Sequence, residues 1–115
     1  MTKLYGIPNC DTVKKAKKWL TNENISYDFH DFKKQGLEQN KVESWLAQLD
    51  WQKLLNKRGL TWRQLDQQTK DAVNEQNVAK LLVAHPTLIK RPVVEHNDQV
   101  SVGFNDAQFT ALFKD

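Results

Sequence analysis

A single cysteine, Cys10, is the residue of this chain best suited to covalent chemistry. It stands in Pro8-Asn9-Cys10-Asp11-Thr12-Val13, after an apolar segment that ends at Ile7 and before a stretch of helical periodicity. The start of a helix carries unpaired backbone N–H groups and the positive end of the aligned peptide dipoles. Both favour a thiolate over a thiol, so the pKa of a cysteine placed there falls below ~8.5 and the sulfur becomes nucleophilic. Thr12 and Val13 supply the nearest N–H groups, and the Thr12 hydroxyl is close in sequence. Asp11 acts in the opposite sense, because an adjacent carboxylate raises a thiol pKa. A free cysteine is more often a small buried hydrophobe than a reagent. Flanks of Asn9 and Asp11, rather than aliphatic residues, argue for the exposed, reactive reading.

Cys10-Asp11-Thr12-Val13 is not a C-x-x-C pair, so one chain cannot complete a dithiol cycle. A second thiol must come from elsewhere. Cytosolic glutathione is the natural source, since thiol–disulfide exchange passes through a mixed disulfide. One cysteine also forbids an internal disulfide, which fits a reducing compartment, and a cysteine-rich zinc site. His30, His85 and His96 show no HxH or HxxxH spacing, so no metal site is expected.

The elements that must position Cys10 follow from periodicity. Thr2–Ile7 reads as a strand, broken by Gly6, Pro8 and Asn9. A helix starts at Asp11, with Val13, Ala16 and Leu20 on one face and Lys14, Lys15, Lys17 and Lys18 around the solvated side. Ile25, Tyr27, Phe29 and Phe32 alternate with polar residues as a second strand. The middle is helical: Leu37–Leu49, a turn at Trp51–Leu55, a short helix at Trp62–Leu65 capped by Thr61, and Val73–Ala84, which stops before Pro86. Asn56–Gly59 is a loop. Val93–Glu95 and Gln99–Val102 form a hairpin about His96-Asn97-Asp98. Asn105 then caps a closing helix, Ala107–Phe113. The order βαβ, helices, ββα describes an α/β protein with a mixed sheet.

The 115 residues carry seventeen Lys and Arg against fourteen Asp and Glu, a net charge of +3. That is one ordinary domain, mildly basic, with no charge pattern demanding nucleic acid. No apolar run approaches the ~20 residues of a membrane span, and the N-terminus has no signal-peptide core. A cytoplasmic protein is expected.

Three blocks point further. Tyr5-Gly6-Ile7-Pro8-Asn9-Cys10-Asp11-Thr12-Val13-Lys14-Lys15-Ala16, Leu54-Leu55-Asn56-Lys57-Arg58-Gly59 and His85-Pro86-Thr87-Leu88-Ile89-Lys90-Arg91-Pro92-Val93-Val94 occur in that order, with Val102-Gly103-Phe104 after them. Together they resemble the ArsC family of arsenate reductases, Spx regulators and YffB proteins, and the YffB branch most. The resemblance covers essentially the whole chain. It implies a thioredoxin-like fold: one domain over residues 1–115, with a helical insertion at about 37–84. It implies that Cys10 is the catalytic nucleophile and that Arg91 binds the anion beside it. Pro92 would be in the cis form, within reach because the trans preference before proline is only ~0.5–1 kcal/mol. The Arg91 backbone would then pair with glutathione or another extended peptide like an added strand. Asn9, Thr12, Lys57, Arg58, Arg91 and Pro92 are the expected contacts to glutathione or substrate.

The departures from the family pattern discriminate among its activities. Arsenate reductases of this type resemble one another in surrounding the oxyanion with three arginines. Arg91 is the clear match; Asn56 stands where the second would align, with Lys57 and Arg58 next to it, and Val102-Gly103-Phe104 lacks the third. Each lost donor to a developing anion can cost ~100-fold or more, so arsenate reduction ranks last. Spx proteins resemble a C-x-x-C switch, and Val13 fills its second position here. The expected function is therefore a glutathione-dependent thiol/disulfide reductase with no bound cofactor. Glutathione is its co-substrate, and glutaredoxin or a disulfide-bearing protein its partner; membrane and direct nucleic-acid contacts are not expected. The alternative is a non-catalytic, Spx-like adaptor for RNA polymerase or another protein. That alternative requires an exposed aromatic patch built from Trp19, Trp45, Trp51 and Trp62, residues that are more often core.

Overall fold

The structure is a computed structural model and describes residues 1–114. In chain order its elements are β1 (Thr2–Gly6), α1 (Asp11–Asn22), β2 (Asp28–Asp31), α2 (Phe32–Gln35), α3 (Gln39–Leu46), α4 (Trp51–Leu54), α5 (Leu60–Gln64), α6 (Gln67–Ala72), α7 (Val78–Ala84), a 3-10 turn (Pro86–Leu88), β3 (Val93–His96), β4 (Gln99–Val102) and α8 (Asp106–Lys114). They divide into two compact units, one made of residues 1–36 with the chain from Arg91 onward, the other of residues 37–90.

The first unit holds a four-stranded sheet in the order β2-β1-β3-β4. β1 runs parallel to β2 and antiparallel to β3, and β3 pairs antiparallel with β4. The parallel pair joined by α1 and the hairpin followed by α8 are the βαβ and ββα halves of a thioredoxin-like α/β fold. The hairpin turns at Asn97 and Asp98, with φ of 50° and 65°. Asn and Asp tolerate this left-handed region better than most residues, and paired positive φ suits a two-residue hairpin.

Register and helical periodicity meet in one core. Leu4 pairs with Val94 across the sheet, and both are fully buried with Ala16, Leu20 and Phe109. Phe109 lies edge-on to Trp19 at 5.4 Å and to Phe104 at 4.7 Å between centroids. Such edge-to-face pairs add to the energy of burial. Trp19 Nε1 donates to Asp106 Oδ1 at 2.8 Å, tying α1 to α8. Asn105 caps α8 as the sequence predicts, its side chain accepting from the Gln108 N–H at 2.7 Å.

Several expectations need correction. The second strand is shorter than the alternation from Ile25 to Phe32 suggests. The Asp31 side chain accepts from the Lys33 N–H at 2.8 Å and starts α2, which takes Phe32. α5 begins from Gly59, not Thr61, whose hydroxyl bonds that of Thr87 at 2.6 Å. The helix expected over Val73–Ala84 is only α7. An Asn74–Asn77 turn precedes it, in which Asn74 Oδ1 accepts from the N–H groups of Gln76 and Asn77. Asn side chains compete with helical backbone bonding in this way. Upstream, Asp66 caps the unexpected α6.

The second unit runs past the expected end of the insertion, through the 3-10 turn to Lys90. An antiparallel bridge, Leu55 with Ile89, is flanked by Asn56 N to Leu88 O at 2.7 Å and Lys90 N to Leu54 O at 2.8 Å. Trp45 is fully buried, and Trp51 and Trp62 are half-buried with the Lys57 ammonium 5.8 and 5.5 Å from their centroids. The large apolar side chains that are exposed are Met1 and Leu60, not the tryptophans. Among the described residues no helix is long and apolar enough to cross a membrane.

Phe109→Ala removes the ring at the centre of the first unit. It should lower unfolding stability by about 3–5 kcal/mol, read as a lower urea midpoint.

Candidate functional site

The site grows out of the end of β1. The strand stops at Gly6, a three-residue loop of Ile7, Pro8 and Asn9 follows, and Cys10 is the N-cap of α1. Cys10 keeps extended backbone angles, φ −113° and ψ 126°, while its carbonyl accepts from the Lys14 N–H at 3.0 Å. That conformation leaves the side chain facing the open N–H groups of the first turn.

Cys10 is half-buried, and Asp11 and Asn9 are exposed. Removing the sulfur from water is the strongest single influence on its ionisation and pushes the pKa up. The Val13 N–H, the Arg91 guanidinium, the Thr12 N–H and the Arg91 charge act against it, in that order. Together they win, and the Cys10 thiol ends below its ordinary pKa. The two N–H groups are aimed at the sulfur without forming a full side-chain cap hydrogen bond. They therefore stabilise the charged thiolate more than they tie down a neutral thiol. Thr12 contributes through its backbone, not through the hydroxyl considered from sequence.

Arg91 comes from the chain just before β3, across a cis bond to Pro92. Arg91 is half-buried and Pro92 buried. The Pro92 carbonyl accepts from the Gly103 N–H at 2.8 Å. Gly103 has φ of +83°, a conformation in which other residues are strained. The Val102-Gly103-Phe104 block thus anchors the segment that supplies Arg91.

One positioning residue escaped the sequence reading, in which Gly6 is only a strand breaker. A Cβ at Gly6 would lie 3.0 Å from Val13 Cγ2 and 3.8 Å from Arg91 Cβ. The bare glycine is where the α1 start and the Arg91 stem close on the strand end.

Lys57 and Arg58 belong to the second unit, where both are exposed. The Asn56 side chain accepts from the Arg58 N–H at 3.0 Å. Gln52, Leu55, Asn56, Lys57, Arg58 and Lys90 line a cleft of about 350 Å³. Among the described residues, no three His, Cys, Asp or Glu side chains gather as metal ligands.

Comparison with known proteins gives the family of the chain. The model of the ArsC family matches residues 5–112. The chain belongs to the ArsC family. It is 40% identical to a YffB protein of solved structure, over 97% of this chain and 98% of that one, with a TM-score of 0.93. It is 42% identical to an arsenate reductase (ArsC) related protein from Brucella melitensis, over 98% and 94% of the two chains, with a TM-score of 0.77. The global transcriptional regulator Spx of Streptococcus mutans is 22% identical over 97% of this chain and 82% of its own length. An ArsC-family protein of this kind is thus similar both to reductase-related proteins and to a regulator.

Arg91→Ala should move the Cys10 titration upward and slow alkylation by iodoacetamide at neutral pH, measured as rate against pH. The same ionisation couples to folding. A pKa depressed in the folded state stabilises the protein above the unfolded thiol's pKa, and that stability is lost as pH falls through the folded value. Cys10→Ser should remove this component from the dependence of urea midpoint on pH.

Proposed function

We propose that this ArsC-family protein is a thiol–disulfide oxidoreductase whose single nucleophile is Cys10 and whose reductant is glutathione. The observation that carries this reading is the lowered pKa of a half-buried cysteine facing two backbone N–H groups and an arginine. Perturbed ionisation of a nucleophile beside a specific cation is a mark of functional sites.

The chemistry balances with one protein thiol. The Cys10 thiolate attacks the glutathione sulfur of a substrate–glutathione mixed disulfide. The old S–S bond breaks, the substrate leaves as a thiolate and takes up a proton, and Cys10 becomes glutathionylated. A second glutathione, as thiolate, attacks its counterpart on Cys10, releasing oxidised glutathione and restoring the Cys10 thiolate. Overall, one disulfide is reduced and two glutathiones are joined. The low pKa of Cys10 serves both halves, because it raises the attacking thiolate fraction and makes the sulfur a good leaving group.

Arg91 holds the thiolate charge and offers a donor to a glutathione carboxylate. Asn9, Thr12 and Pro92 are the neighbouring glutathione contacts in this reading. Glutaredoxin or a disulfide-bearing protein is the partner, and the reducing cytoplasm is the setting in which glutathione is available. Arsenate is a poorer substrate than a disulfide, because one matching arginine replaces a set of three. The reductase reading is favoured over an Spx-like adaptor by the lowered pKa of Cys10 and by tryptophans that are buried or half-buried.

Cys10→Ser should abolish reduction of a glutathionylated peptide, followed as oxidised glutathione formed, and wild type trapped mid-cycle should carry one glutathione on Cys10 by mass spectrometry. Full activity in Cys10→Ser would sink the proposal. Arsenate added in place of the peptide should produce little oxidised glutathione.

A further inference from the structure

The net charge of the molecule is not spread over it. Of the seventeen cationic and fourteen anionic side chains, α1 carries four lysines and one aspartate, and the remaining thirteen of each sign balance. The whole excess of +3 therefore sits on the helix whose first residue follows the nucleophile. Lys17 is accounted for, since its ammonium lies 3.6 Å from the centroid of Phe29. Lys14, Lys15 and Lys18 are exposed, and among the described residues no carboxylate pairs with them.

Asp11, three and four residues before Lys14 and Lys15, offsets part of this charge by its spacing, but the arrangement among the lysines works against the helix itself. Lys14–Lys18 is an i,i+4 pair and Lys15–Lys18 an i,i+3 pair, and like charges at these spacings destabilise. Lys14 and Lys15 also sit nearer the positive end of the helix dipole than the negative end. No lysine lies in the last turn, where it would help. A local rule broken with no compensating contact within the fold marks a functional surface.

We infer that the outer face of α1 is a docking surface for an acidic segment of the protein whose disulfide Cys10 attacks. The inference rests on the thiol–disulfide reading of Cys10 and adds the partner's chemistry to it. Lys14 and Lys18 lie one and two helical turns from Cys10, on its flank, at axial rises of about 6 and 12 Å. An extended peptide advances about 3.3 Å per residue. A partner whose cysteine meets Cys10 thus places carboxylates about two to four residues away against these lysines. Charges at that separation lie within about one screening length of one another in ~0.1 M salt. A mixed disulfide on a protein brings its anions as Asp and Glu side chains, so the occupant is an acidic peptide segment.

The test uses three glutathionylated peptides of one length, with acidic, neutral or basic residues flanking the cysteine, and reads the ratio of their kcat/KM values. A ratio is insensitive to any change in Cys10 ionisation common to all three. Wild type should prefer the acidic peptide over the neutral one by roughly tenfold or more at low salt, with the preference collapsing at high salt. Lys14→Gln, Lys15→Gln and Lys18→Gln combined should bring the ratio close to one, and the three corresponding changes to Glu should invert it. A second arm measures fluorescence anisotropy of the acidic peptide, with Ser in place of its cysteine, on the Cys10→Ser protein. Reduction of all peptides at equal efficiency overturns the docking surface and leaves the reductase reading standing. Lysine-dependent binding without reduction of any peptide upholds the surface and overturns the reductase reading. Tighter lysine-dependent binding of a single-stranded oligonucleotide of equal charge overturns the acidic-protein occupant.

Discussion

The site depends on a contest over one sulfur. Partial burial of Cys10 favours the neutral thiol, and it is the strongest single influence. Two backbone N–H groups and one guanidinium oppose it and together prevail. The N–H groups are open because a helix begins there, and the guanidinium arrives from a distant part of the sequence. A lowered pKa raises the thiolate fraction of a cysteine without a second cysteine to activate it.

The sheet makes that contest possible. β1 delivers Cys10 from its C-terminal end, and β3, its antiparallel neighbour, begins just after Arg91. The two supports are thereby brought to the same edge of one layer. Gly6 lets them close, and the Gly103–Pro92 hydrogen bond holds the Arg91 segment from the far side of the hairpin. Behind them, Trp19 and Phe109 lock α1 to α8 through ring packing and the Trp19–Asp106 bond. β1 and β3 are also joined by the Tyr5 hydroxyl, which donates to Glu95 at 2.9 Å. Burial, aided by Glu95, pushes the Tyr5 pKa upward, so Tyr5 stays a neutral donor.

Electrostatics also narrows what meets this sulfur. A site with a single matching arginine is equipped to hold one carboxylate or one thiolate more readily than a tetrahedral oxyanion that wants several donors. The surplus positive charge lies instead along the exposed face of α1. Under the proposed function, such a division suits an acidic, disulfide-bearing partner better than a small oxyanion.

The sequence by itself determined the candidate nucleophile and its local setting. The break at Gly6-Ile7-Pro8-Asn9 and the apolar spacing of Val13, Ala16 and Leu20 are local signals, so the helix start at Cys10, the hairpin at Asn97-Asp98 and the Asn105 cap were all legible. The order of elements followed, and the family blocks pointed to Arg91. The middle was read less well. Asn74 and Asn77 turn the chain through side-chain bonds that the apolar pattern does not record, and Thr61 finds Thr87 instead of capping a helix. Only the tertiary structure decided which way the Cys10 pKa moves, because burial opposes the helix-start N–H groups and an arginine that sequence distance keeps apart. The role of Gly6 was likewise invisible, since the value of a missing Cβ lies in the two neighbours that occupy the space.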